Sequence, residues 1–282
     1  MKDLGARSPD PHLQEIRDAG HNSPDWVLVA PHLPDPAVSS AATLELEGDV
    51  LRARRFPADA LDYFRYAYNR GGNPTILLNK MGVTELELGN VSMARLYFQA
   101  ALKKRRKDPQ TWNNLGAVEF MDRQYGSAIR DYKQALKFNG TMAVYHSNLG
   151  LAYVESKDFD RGRNQLATAV KLDPEIFTRR NTAGSSLHIL ATGDRTAFCF
   201  EMAKAYAMLG NETEMLHSLE TASEGGLDIR AAMQNDKDLS RYANDPRVVE
   251  IVRIAKSIQA SRAAASVASA VTPLAPSVPA AR

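Results

Sequence analysis

The sequence predicts an all-α chain, a solenoid of stacked helix–turn–helix units closed at its C-terminal end by a helical cap. Two observations predict it. Glycines recur at Gly48, Gly82, Gly116 and Gly150, each 34 residues after the last. Three further anchors keep the same phase: small residues at Ala60, Ala94, Ala128 and Gly162, large ones at Phe64, Phe98, Tyr132 and Leu166, and alanines at Ala67, Ala101, Ala135 and Ala169. Anchors in register over successive copies mark one supersecondary unit used repeatedly.

Packing gives each anchor its reason. The glycine of the first helix and the first small residue of the second are expected where two helix axes approach closely. The aromatic and the later alanine are expected to face the next copy. A single pair of helices has apolar faces on two sides and cannot bury both, so stacking is required. The whole pattern stands in WNNLGAVEFMDRQYGSAIRDYKQALKFN from Trp112, and in HSNLGLAYVESKDFDRGRNQLATAVKLDP from His146 to Pro174. These stretches resemble the tetratricopeptide repeat family, over roughly residues 41–176. Trp112 has counterparts Leu44, Leu78 and His146, and the closing proline is clean only at Pro174, with Pro74 and Pro109 displaced. The resemblance implies a right-handed superhelical solenoid of tetratricopeptide-type repeats, with the first helices lining a concave face. It also implies a chain that holds partner proteins.

Six segments follow. Residues 1–38, rich in proline, are expected to form an extended or disordered arm, although Trp26-Val27-Leu28-Val29 could dock. Residues 39–176 hold the four repeats. Residues 177–195, with Gly184-Ser185-Ser186 and Gly193-Asp194, read as an insert loop with one short helix around Leu187–Ala191. Residues 196–226 read as a degenerate fifth repeat, carried by Ala203, Tyr206, Gly210, Leu219 and Ala222, with Met215 where a small residue is expected. Residues 227–256 read as capping helices. Asp245-Pro246 suits a helix start, and Val248, Ile251, Val252 and Ala255 share one face. Residues 257–282, low in complexity, read as a disordered tail.

Composition removes several function classes. The 35 basic and 33 acidic side chains leave a formal charge of +2, no general attraction for nucleic acid or anionic membrane. The single cysteine, Cys199, precludes an internal disulfide framework. No apolar run is long enough to span a bilayer. The N-terminus lacks the apolar stretch of a secretory signal, so the expected compartment is the cytoplasm unless a signal has been trimmed away. The histidines show no metal-ligand spacing. Neither a phosphate-binding GxxxxGK[ST] loop nor a GxSxG elbow occurs. Cys199 and His146 fall at the inward position that Trp112 fills, where packing is the plainer role. No catalytic residue, cofactor or metal is therefore expected.

The binding expectation rests on ladders of residues at 34-residue offsets on the first helices. The expected set is Asn79, Lys80, Val83 and Leu86, then Asn113, Asn114, Ala117, Phe120 and Met121, then Ser147, Asn148, Leu151, Val154 and Glu155. Ile76, Glu87, Gln110 and Val144 belong to the same face. Side-chain amides can donate to and accept from a peptide backbone, and the apolar ladder Leu86, Phe120, Val154 could seat spaced apolar side chains. Phe120, at its middle, is the expected anchor. Family members that grip a chaperone's C-terminal carboxylate need a cation cluster. The matching positions hold Glu45, Asp49, Lys80, Gln110 and Asn114 in one frame and Asn79, Val83, Asn114, Val144 and Asn148 in the other. That partner is not expected. The leading reading is a non-enzymatic scaffold for a protein or peptide segment. The alternatives are a nucleic-acid or polyanion surface at Arg52, Arg54 and Arg55 with Lys103 to Lys107, and a regulatory arm for an enzyme on another chain. The absence of interleaved aromatics counts against nucleic acid.

Overall fold

A computed structural model of the chain describes residues 11–178 and 194–270, with side chains through residue 261. Among the described residues there are helices and turns but no strand. The chain divides into two compact units, Met1–Ala152 and Tyr153–Arg282, taken here in turn.

The first unit contains α1 (Pro11–His21), α2 (Pro24–Val29), α3 (Ala41–Ala53), α4 (Pro57–Asn69), α5 (Pro74–Glu87), α6 (Val91–Lys104), α7 (Pro109–Met121), α8 (Tyr125–Phe138) and most of α9 (Ala143–Glu155). Helices pair as α3 with α4, α5 with α6 and α7 with α8, and successive pairs meet through α4–α5, α6–α7 and α5–α7. The first helices start where the local chemistry allows. Ser40, Asn73 and Asp108 accept hydrogen bonds from the first-turn N–H groups of α3, α5 and α7, which satisfies donors that a helix leaves open. Pro74 and Pro109, displaced from the family's closing position, occupy the first turns of α5 and α7, where a missing N–H costs nothing.

Each first helix ends in the same turn. Phe56 N–H donates to the Leu51 carbonyl (2.8 Å), Asn90 to Glu85 (2.7 Å) and Gln124 to Glu119 (2.8 Å). This six-to-one bond needs a left-handed residue just before the donor. Gly89 provides it with φ +80°, but Arg55 and Arg123 provide it with φ 66° and 57°.

Packing within a pair refines the reading of the anchors. A Cβ on Gly82 would lie 2.5 Å from the Phe98 ring, and one on Gly116 would lie 2.7 Å from the Tyr132 ring. The aromatic of the second helix therefore lies on the glycine of its own repeat, where the sequence reading had it facing the next. Phe64, Phe98, Tyr132, Ala60, Ala94 and Ala128 are fully buried.

The N-terminal segment corrects the expectation of an extended or disordered arm. Residues 11–21 and 24–29 are helical, and α1 packs on α4. Leu13 and Val29 enter the core with Leu44, Leu51 and Phe56, and Trp26 packs beside them. Arg17, 2 % exposed, places Nη2 2.7 Å from Asp62 Oδ2 and Nε 3.4 Å from Asp59 Oδ1. His21 stacks on Trp26 and meets Asp59 Oδ1 at 3.0 Å. Pro11 and Pro24 fall at helix starts, so they do not break helices here.

The second unit contains the end of α9, α10 (Phe159–Leu172), α11 (Arg195–Met208), α12 (Glu212–Glu224), the short α13 (Ile229–Gln234) and α14 (Pro246–Ala270). Of the residues that carry the expected fifth copy, Ala203, Tyr206, Met215, Leu219 and Ala222 are buried, and Gly210 has a left-handed φ of +73°. Buried Arg163 on α10 pairs with Asp160, Glu201 and Asp238, and Lys204 on α11 pairs with Glu201 and Asp236, tying α10, α11 and the turn after α13 together. Asp160, Arg163, Glu201, Lys204 and Asp236 line a cleft of about 800 Å³. α14 packs on α12, with Val248 and Ala255 buried and Ile251 and Val252 half-buried. The helix runs on to Ala270, which corrects the expectation of a disordered tail from residue 257. Alanine is the strongest helix former, and the segment is rich in it. Residues 271–282, most of the insert and the short helix expected at Leu187–Ala191 lie outside the described residues.

Candidate partner-binding face

The ladder residues lie on the first helices. Within the first unit they occupy two depths on α5, α7 and α9. Asn79, Asn113, Ala117, Phe120, Ser147, Asn148 and Leu151 are buried. Lys80, Val83, Leu86, Asn114 and Met121 are half-buried. Above them Ile76 is 45 % exposed, Gln110 is exposed and Val144 is half-buried. In the second unit Val154 is buried and Glu155 is half-buried.

The amide ladder is engaged within the protein. Asn148 Nδ2 donates to Asn113 Oδ1 (2.8 Å), Asn113 Nδ2 to Asn114 Oδ1 (3.4 Å), and Asn114 Nδ2 to Asn79 Oδ1 (3.3 Å). Asn79 Nδ2 donates in turn to Thr111 Oγ1 (2.6 Å) and Asp108 Oδ2 (3.3 Å). The chain of bonds crosses from α9 through α7 to α5 and fixes the stacking of first helices, since buried polar groups require partners. One acceptor, Asn148 Oδ1, is buried with no hydrogen-bond partner. Lys80 Nζ extends the same line toward α3, 2.7 Å from Glu45 Oε1 and 2.5 Å from Asp49 Oδ2.

Phe120 is 3 % exposed and packs its ring on Tyr125, with centroids 5.4 Å apart. It is a core side chain that approaches the face from beneath, not an open anchor. The half-open apolar groups are Ile76, Val83, Leu86, Met121 and Val144. Glu87 stands at the edge of the face, 3.9 Å from Arg52. Burial pushes its carboxyl pKa up, and Arg52 opposes the shift. Sequence reasoning did not foresee that Glu45 and Asp49 would hold Lys80. The signal was present, since both acids sit on the same ladder one repeat earlier.

The other candidates are quieter. Cys199 is half-buried, and burial raises its thiol pKa against the pull of Arg195, so the nucleophilic thiolate is disfavoured. His146 Nε2 meets the Gly140 carbonyl at 3.0 Å, as Trp112 Nε1 donates to the Arg106 carbonyl at 2.8 Å one repeat earlier. The two rings share a position and a hydrogen bond, and the role is structural. Among the described residues no group of three or more His, Cys, Asp or Glu is placed to hold a metal. No described helix is long and apolar enough to cross a membrane. Lys103, Lys104, Arg105, Arg106 and Lys107 are all exposed, with one pairing among them, Arg105 to Asp108 at 3.8 Å.

Repeating helix pairs with a shared left-handed turn and an aromatic on a glycine define a helical-repeat protein. Family models of the tetratricopeptide repeat match residues 79–142 and residues 143–176, so the chain carries tetratricopeptide repeats over that stretch. No curated protein sequence matches the chain significantly. Several solved structures are similar in fold. One is MamA from Desulfovibrio magneticus, 20 % identical, covering 65 % of this chain and 93 % of that one, with a TM-score of 0.47. Another is TTC0263, a thermophilic tetratricopeptide protein of Thermus thermophilus, at 19 % identity, 72 % and 97 % coverage and a TM-score of 0.46. A third is YrrB, described as a tetratricopeptide protein with an unusual peptide-binding site, at 16 % identity, 72 % and 91 % coverage and a TM-score of 0.44.

Proposed function

We propose that the chain is a non-enzymatic scaffold that binds a segment of a partner protein along the first helices of repeats two to four. The observation that carries this reading is the half-open strip of the first unit. Ile76, Val83, Leu86, Met121 and Val144 leave apolar surface accessible beside Lys80, Gln110 and Asn114. Apolar pockets with a few polar groups suit a peptide whose side chains recur at regular spacing. The buried amides beneath hold the helices in register and so preorganise the strip, which lowers the ordering cost of binding.

The test is selection of peptides from a displayed random library, with the Leu86→Glu variant as the control. Selected peptides are expected to bind the wild type and to lose tenfold or more on Leu86→Glu, on the order of 1.4 kcal/mol, with the helical signal retained. Equal binding by both proteins would count against the strip.

A second reading is favoured by one observation, the five exposed cations from Lys103 to Lys107. A polyanion held there would release counterions, and its affinity would fall steeply with salt. Peptide seated on the strip would respond weakly to salt, so one salt series separates the two readings.

A further inference from the structure

The run Lys103 to Lys107 carries more charge than the fold uses. Lys103 and Lys104 stand in the last turn of α6 and complement its C-terminal dipole. Arg105, Arg106 and Lys107 lie beyond the helix end. One repeat later the same turn is built without them. Arg105 N–H donates to the Ala101 carbonyl as Asn139 N–H donates to the Ala135 carbonyl, both at 2.9 Å. Trp112 Nε1 meets the Arg106 carbonyl as His146 Nε2 meets that of Gly140. The later turn reads Asn139-Gly140-Thr141 and carries no charge. The cations are therefore not what shapes the turn.

Nor are they neutralised by the turn itself. Among the described residues the run makes one ion pair, Arg105 with Asp108 at 3.8 Å. Asp108 is engaged elsewhere: its Oδ2 accepts from the Thr111 N–H, from Thr111 Oγ1 and from Asn79 Nδ2. Lys103, Lys104, Arg106 and Lys107 are exposed, and none pairs with a carboxylate among the described residues. The Asn79 bond also fixes where these cations stand. It ties the end of the turn to α5, and α7 begins at the next residue, Pro109. Ile76 and Gln110 of the strip lie in the first turns of those two helices, so the basic turn borders one end of the strip.

We infer that the turn at residues 103–107 receives an acidic stretch of the same partner segment that lies on the strip. The inference rests on the strip reading above and names its ligand, a peptide with spaced apolar side chains and its acids gathered at one end. The strip supplies the apolar contacts. Exposed charges at its rim supply orientation and speed of encounter. One short turn of cations suits a short acidic block. Single-stranded nucleic acid calls for a basic groove that tracks the backbone, with aromatic platforms along it.

The experiment selects peptides from a displayed random library on three full-length proteins. They are the wild type, Leu86→Glu, and a variant combining Lys103→Ser, Lys104→Ser, Arg106→Ser and Lys107→Ser. The wild-type pool carries spaced apolar residues with Asp and Glu gathered at one end. The serine variant's pool keeps the apolar spacing and loses the acids. Replacing the acids of a wild-type peptide by their amides weakens binding to the wild type about tenfold in low salt, as several exposed ion pairs together would, and leaves binding to the serine variant unchanged. That change is made on the peptide, so it decides the matter even if the serine variant fails to fold. Acids absent from the wild-type pool, or equally abundant in the serine variant's pool, overturn the inference. So does an oligonucleotide that binds through these cations more tightly than the selected peptide. Failure of the strip reading looks different and removes the shared ligand with it: the acids stay, and the apolar spacing disappears together with any sensitivity to Leu86→Glu.

Discussion

At the scale of the residue, two substitutions probe positions whose roles the sequence disguised. Arg123 sits at φ 57° in the turn where Gly89 sits at φ +80°. A left-handed conformation costs a non-glycine residue roughly 1–2 kcal/mol, offset in part by the greater chain entropy that glycine loses on folding. Arg123 is exposed. Arg123→Gly is therefore expected to stabilise the protein by about 0.5 kcal/mol, read as a higher urea midpoint, and a lower midpoint would mean that the arginine makes a contact worth more than the strain. Phe120 gives the opposite case. Its place on the ladder predicts an exposed anchor, and its burial beside Tyr125 makes it core. Phe120→Ala should cost about 3–5 kcal/mol of stability, and retention of the wild-type melting temperature would restore the anchor reading. Neither role was visible in the sequence. Spacing reveals which residues are equivalent, but not how deep each one lies.

At the scale of the element, ion pairs hold the parts that the repeat pattern does not. Arg17 docks α1 through Asp59 and Asp62. Removing one partner of a buried pair costs about 3–5 kcal/mol, so Arg17→Ala should release α1. Amide exchange over residues 11–29 should then rise while α5 to α8 stay protected, and unchanged protection would remove Arg17 from that role. In the second unit burial raises the Asp236 pKa, but Lys204 and the N–H groups of Asp238 and Leu239 outweigh it and hold the carboxyl below its usual range. A depressed folded pKa gives stability that is present above the unfolded value, about 4, and is lost as pH falls through the folded value. Asp236→Asn should therefore lower the melting temperature at pH 7 and flatten its decline in acid, and an unaltered acid slope would contradict this. The helix pairs from α3 to α8 and the face of α14 were legible because glycine, alanine and aromatic positions are fixed by helix–helix packing. The arm was misread because Pro11 and Pro24 look like breakers until their place at helix starts is known, and because Arg17 hides the buried face of α1. The helix through residue 270 was misread because alanine-rich, low-complexity sequence was taken as unable to order.

At the scale of the whole molecule, the amide ladder changes meaning. Asn79, Asn113, Asn114 and Asn148 were read as groups offered to a ligand, yet they bond mainly to one another. The Asn114–Asn79 and Asn148–Asn113 bonds each span about a repeat in sequence, so the residues were legible and their engagement was not. What is left for a partner is the shallower strip around Ile76, Val83, Leu86, Met121 and Val144, with the amides beneath as its support. The central claim, that this strip is where a partner segment binds, is tested most directly by amide hydrogen exchange on the chain with and without a selected peptide, in low and in high salt. The account expects new protection on α5, α7 and the first residues of α9, persisting in high salt. Protection confined to the turn at residues 103–107 and abolished by salt would contradict it.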